Sequence, residues 1–91
     1  MECEIVIEKR RIRASEELFL DYTLSRRSVK DGLVLYSLLI EETHGERSEF
    51  VLLDALTDDE KQARDLFLLF AEETVTPCTA EDVLHEIFYA P

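Results

Sequence analysis

Apolar and polar residues alternate along the first two thirds of the chain, then switch to a helical period. "CEIVI" at 3–7 is a short β-rich run. "LFLDYTLS" at 18–25 puts Leu18, Leu20, Tyr22 and Leu24 on one side and Asp21, Thr23 and Ser25 on the other, the period of a half-buried strand. "GLVLYSLLIEET" and "SEFVLLDAL" follow, joined by "HGER". Glycine supplies the positive φ that a tight hairpin needs, so His44-Gly45 is expected at the turn, with Lys30-Asp31-Gly32 marking the turn before it. A two-residue turn at His44-Gly45 sets Leu38 opposite Val51 and Tyr36 opposite Leu53.

Beyond Ala55 the period changes. Thr57-Asp58-Asp59-Glu60 reads as a capping box, with Asp58 and Asp59 at the positive end of a helix. Ala63, Leu66, Phe67, Phe70 and Thr74 share one stripe at 3.6-residue spacing, and Pro77 should end that segment. A second helix should start from Thr79 and turn Ala80, Val83, Leu84 and Ile87 inward. The predicted elements are strands over about 3–12, 18–26, 33–43 and 47–56, then helices over about 58–73 and 80–89. All 91 residues are read as a single domain. Strands grouped before helices indicate an α+β fold, a four-stranded antiparallel meander with both helices packed on one face.

Two faces of the sheet follow from the alternation. One carries Val34, Tyr36, Leu38, Ile40, Val51, Leu53 and Ala55. The other carries Leu35, Ser37, Leu39, Phe50, Leu52 and Asp54, joined by Asp21, Thr23 and Ser25 if the loop after the second strand is odd in length. Two short helices cannot cover both faces. Leu35, Leu39, Phe50 and Leu52, with Leu68 on the polar side of the first helix, are therefore the candidate interaction residues.

Charge narrows the partners. The net charge is −11; residues 1–47 carry ten acids and eight bases, while residues 48–91 carry eleven acids and two bases. So negative a chain argues against direct contact with nucleic acid, which needs a basic surface. The basic runs "KRRIR" at 9–13 and "RRSVK" at 26–30 fall at opposite ends of a hairpin, roughly 25 Å apart at ~3.3 Å per residue, and read as solvated strand ends. The longest apolar stretch, "LVLYSLLI" at 33–40, is too short to span a bilayer, and the N-terminus runs acidic then basic, the reverse of a secretion signal. A cytoplasmic protein is expected.

Candidate chemistry is sparse. "CTAEDVLHE" at 78–86 gathers a cysteine, a histidine and three carboxylates. With Thr79 as helix cap, Cys78 tucks inward as a hydrophobic staple against Val83, while His85 turns outward. The two then diverge, and no CxxC or HExxH spacing is present, so neither metal nor cofactor is expected. Cys3 and Cys78 are read as free thiols. Ser37 and Asp54 share a face without a histidine, so no nucleophile system is indicated.

The segments "YSLLIEETHGERSEFVLLDALTDD" and "TVTPCTAEDVLHEIF" resemble a small domain-of-unknown-function family of Gram-positive, clostridial-type bacteria. The resemblance covers about residues 18–89. It rests on the Tyr36-Ser37-Leu38 step, where family members tend to carry glycine in place of Ser37, and on the Val75-Thr76-Pro77-Cys78-Thr79 entry to the last helix. It implies an intracellular bacterial protein and brings no activity, cofactor or site residue. Three functions compete: a non-enzymatic interaction or regulatory module, with a homodimer through the uncovered face or an unknown protein partner; an acidic mimic of nucleic acid that fills a basic groove; and a small enzyme, the least supported.

Overall fold

A computed structural model of the chain describes residues 3–89. Four strands, β1 (Cys3–Arg13), β2 (Leu18–Ser28), β3 (Val34–His44) and β4 (Arg47–Thr57), form one antiparallel sheet in the order β1-β2-β3-β4. Two helices follow, α1 (Glu60–Glu72) and α2 (Ala80–Tyr89). The extents, 45 × 36 × 17 Å, are those of one helical layer on one sheet. This is the ββββαα arrangement that the change of period predicts.

Pairing of β2 with β3 runs from Leu18↔His44 to Ser28↔Val34, so Ser25 faces Ser37 and Thr23 faces Leu39. The five-residue connection satisfies the odd-length condition, and the polar side of β2 joins the second face. Asp31 (φ 65°) and Gly32 (φ 75°) turn the chain there. At the next hairpin His44 pairs with Arg47, so the central residues are Gly45-Glu46 and not His44-Gly45. Gly45 has φ 61° while Glu46 is not in the left-handed region, the requirement of a type II′ turn. The register therefore moves by two: Leu38 pairs with Leu53 and Ile40 with Val51. Because side chains repeat every two residues, this shift leaves both faces as predicted.

The core lies between the first face and the helices. Tyr22, Leu24, Leu38, Ile40 and Phe70 are fully buried, with Leu20, Tyr36, Leu53, Leu66 and Phe67 around them. α1 lies across β2, β3 and β4, whereas α2 touches the rest of the fold only lightly. Ala80 is buried and Val83 and Leu84 pack on the core, but Ile87 is 41% exposed, against its predicted inward placement.

Both ends of α1 differ from the capping-box expectation. Asp59 is the N-cap and accepts from the Gln62 amide at 3.2 Å. Thr57 instead accepts from the Asp59 amide (3.1 Å) and donates to Gln62 Oε1 (2.6 Å). Glu60 is left to pair with Arg64 (3.0 Å), whose guanidinium holds its carboxyl below the usual range, and to accept from the Tyr36 hydroxyl (3.3 Å). At the other end the Thr74 amide donates to the Ala71 carbonyl and the Val75 amide to that of Phe70, a Schellman motif. Thr74, at φ 49°, sits outside the helix and exposed; Ala71 takes its place in the buried stripe. The helix is thus closed by its own carbonyls before Pro77 is reached.

Candidate interaction surface

No helix covers the second face. Two of its side chains are unusually open: Phe50 is 72% exposed and Leu52 52%. Leu35 and Leu39 beside them are half-buried by their sheet neighbours. Leu39 pairs with Leu52, and Phe50 lies two residues along β4 opposite Glu41, whereas Leu35 sits four residues away along β3, on the far side of Ser37. Leu68, exposed on α1, belongs to the other layer and is separated from them by the sheet. Helical periodicity orders residues around one helix and not across the molecule, so it leaves this separation open.

The polar part of the second face is organised, not merely solvated. The Ser37 hydroxyl donates to Asp54 Oδ1 (2.8 Å) and accepts from the Ala55 amide (3.1 Å). Between Leu38↔Leu53 and Tyr36↔Thr57 the sheet carries a bulge, with Asp54, Ala55 and Leu56 set against Ser37 alone. Ala55 takes φ 51° there and is exposed, so it does not continue the apolar face as its spacing suggests. Arg27 reaches Asp54 at 3.5 Å. The Ser37 hydroxyl thus donates once and accepts once in shaping the end of the strand.

Two bases of the first basic run, Arg11 and Arg13, are similarly committed. Arg11 pairs with Asp21 at 3.0 Å and lies over the Phe19 ring at 4.8 Å. Arg13 donates to the carbonyls of Ser15 and Glu16. The register puts Lys9, Arg11, Arg13 and Arg27 on the second face, against Glu4, Asp21, Glu41 and Asp54. Four bases meet four acids there, so this face is neutral on a chain of net −11.

The segment before α2 departs from the staple geometry. Cys78 is exposed. Its sulfur lies 3.5 Å from Thr76 Oγ1, and the Thr79 hydroxyl turns back to Thr76 (2.9 Å) while its carbonyl accepts the first helical bond, from Val83. Val75, not Cys78, is the buried anchor: it is 5% exposed and its carbonyl accepts from the Tyr22 hydroxyl at 2.8 Å. Burial foremost, with the nearby Glu42 carboxylate second, pushes Tyr22 up to about 12. His85 is exposed as predicted. Among the described residues no three His, Cys, Asp or Glu side chains are grouped to hold a metal ion. The expected free thiol of Cys3 lies outside the described side chains. No helix among the described residues is long and apolar enough to cross a membrane.

Fold and surface together define a small two-layer α+β protein with one bare sheet face. The chain belongs to a family of unknown function, DUF6514, whose model matches residues 1–90. No curated protein and no solved structure matches it.

Proposed function

We propose that this protein is a non-enzymatic interaction module whose bare sheet face associates with a second copy of the chain. The observation that carries this reading is the exposure of Phe50 and Leu52 on a face with no helical cover. Size supports it. Four strands of 11 residues span roughly 36 by 19 Å, about 700 Å² per copy, near the ~800 Å² that each partner contributes to a standard interface. Charge supports it too, since the face is neutral while the acids of the helices lie on the far side.

The energetics set the strength. Each large apolar side chain fully withdrawn from water contributes roughly 1.5–3 kcal/mol. Phe50 and Leu52 on two copies, discounted for their partial exposure, supply roughly 4–7 kcal/mol. That only matches the lower end of the ~4–15 kcal/mol association cost, so Leu35 and Leu39 must contribute and the dimer is weak. Salt should strengthen it by screening the net charge. Sedimentation at rising concentration in low and high salt tests this: dimer grows in, more at high salt, and Phe50→Asp abolishes it with the fold intact. A monomer throughout, in both salts, sinks the self-association.

The setting belongs to the same proposal. Two lone cysteines and the family resemblance support the cytoplasm of a Gram-positive bacterium. Export of the native protein to the medium would contradict it.

A further inference from the structure

The two edges of the sheet are built differently. β1 bears Lys9, Arg10, Arg11 and Arg13 and a register shift between Val6 and Glu8, both of which deter a further strand. Between Ser48 and Leu53, β4 has no register shift and one charged residue, Glu49. With Gly45-Glu46 at the turn, His44 and Arg47 close the hairpin by exchanging both backbone bonds. Alternation then turns the amides and carbonyls of Ser48, Phe50 and Leu52 away from β3. Among the described residues no backbone group outside the sheet bonds to them.

A groove runs along this edge. Two cavities of about 500 Å³ each lie between β4 and the start and flank of α2. Glu81 lines both, standing between the Ser48–Val51 stretch of one and the Asp54–Leu56 stretch of the other. The regular edge from Ser48 to Leu53 is five steps of ~3.3 Å, roughly 17 Å, room for about six extended residues. Its far end is set by the bulge at Asp54–Leu56, where regular pairing stops.

We infer that this groove takes an extended peptide segment carrying basic side chains, added to β4 as a fifth strand against α2. The unpaired edge specifies the extended backbone, since main-chain bonds supply the affinity in strand addition. The lining specifies the charge: Glu49 and Glu81 lie on its helix side, Asp54 is already held by Ser37 and Arg27, and it contains neither lysine nor arginine. Side chains of an added strand alternate between the helix side, beside Glu49 and Glu81, and the bare face, beside Phe50 and Leu52. A segment of alternating basic and apolar residues matches both. A second β4 does not, because it would bring Glu49 and Glu81 against acids like themselves. The inference uses the backbone edge and does not rest on the face-to-face dimer.

The test is a nuclear magnetic resonance titration of the labelled protein with acetyl-Val-Arg-Val-Arg-Val-Arg-Val-amide. It is run at protein concentrations where sedimentation gives a monomer, so its outcome is independent of dimerisation. Shifts should concentrate at the amides of residues 48–53 and 78–88. Glu81→Lys should weaken binding at least tenfold, as should replacing arginine by glutamate in the peptide. A fully N-methylated peptide, which has no main-chain donors, should not bind. No shifts at millimolar peptide, equal binding of the glutamate peptide, or shifts centred on Leu35 and Leu39 would each overturn the inference. So would salt-sensitive open-ended polymers of the protein alone, which would put its own β1 in the groove.

Discussion

Ser37→Ala isolates the element that shapes the end of β4. The hydroxyl makes two bonds, a donor bond to the Asp54 carboxylate and an acceptor bond to the Ala55 amide, and Ser37 is only 6% exposed. A neutral bond contributes about 0.5–1.5 kcal/mol net and one to a charged group about 1.5–3 kcal/mol. Asp54 has a half-exposed side chain and Ala55 is exposed, so water replaces part of both. The expected loss is therefore about 1–2 kcal/mol, and in a domain of this size about 4–16 °C in Tm. Ala55 supplies the complementary variant. At φ 51° a side chain with Cβ costs about 1–2 kcal/mol, which Ala55→Gly should recover in part. If the hydroxyl is what holds that conformation, removing it lets the bulge relax, and Ala55→Gly then gains less in the Ser37→Ala background. Urea unfolding of the four proteins reads the cycle directly. A loss below about 0.5 kcal/mol for Ser37→Ala, or destabilisation by Ala55→Gly, would refute the account of the bulge.

Two further substitutions follow from the α1–α2 connection. Thr74→Gly should raise stability by about 1 kcal/mol in urea unfolding, because a β-branched residue occupies the left-handed position of the Schellman motif. Tyr22→Phe should cost about 1–3 kcal/mol by leaving the buried Val75 carbonyl without its donor. The same variant should alter the alkaline limb of stability. Tyr22 is held neutral up to about 12, against about 10 in the unfolded chain, so its contribution is complete below pH 10 and is lost as pH rises towards 12. Tyr22→Phe should flatten stability across that window, read by denaturation at stepped pH.

Periodicity carried most of the fold. Leu20, Tyr22 and Leu24 alternate cleanly with Asp21, Thr23 and Ser25, and an error of two in the hairpin register left every face unchanged, because two is the repeat of the strand. What failed was local and depended on backbone conformation or on competing partners. Gly45 is one place earlier in the turn than predicted, since type II′ wants glycine first. Asp59 outcompetes Thr57 as the cap because Glu60 is drawn off by Arg64 and Tyr36. Thr74 looks like a stripe residue, but the Schellman bonds end the helix ahead of it. Cys78 was misplaced because Val75 fills the anchoring position three residues earlier. The bare apolar face was legible, as Leu35, Leu39, Phe50 and Leu52 alternate in phase. The β4 groove was not: alternation says which way side chains point, and is silent on which strand is left at an edge and which helix flanks it.

The acidic layer decides how the two surfaces divide their partners. α1 and α2 carry Glu60, Asp65, Glu72, Glu81, Asp82 and Glu86 against only Lys61 and Arg64, and both of those bases are engaged in ion pairs. On the bare face, one sheet thickness away from these acids, bases and acids balance, so a second copy would meet apolar side chains and only the long-range repulsion of the net charge, which salt screens. At the β4 edge the layer comes into contact with the site itself through Glu81. There a second copy would be repelled and the proposed cationic segment drawn in. The charge layout that favours the proposed self-association across the sheet therefore disfavours it along the edge. The bulge that Ser37 holds at Asp54–Leu56 ends the edge before it reaches the loop into α1. An added strand is then confined to Ser48–Leu53, the stretch where Glu49 and Glu81 are both within its reach.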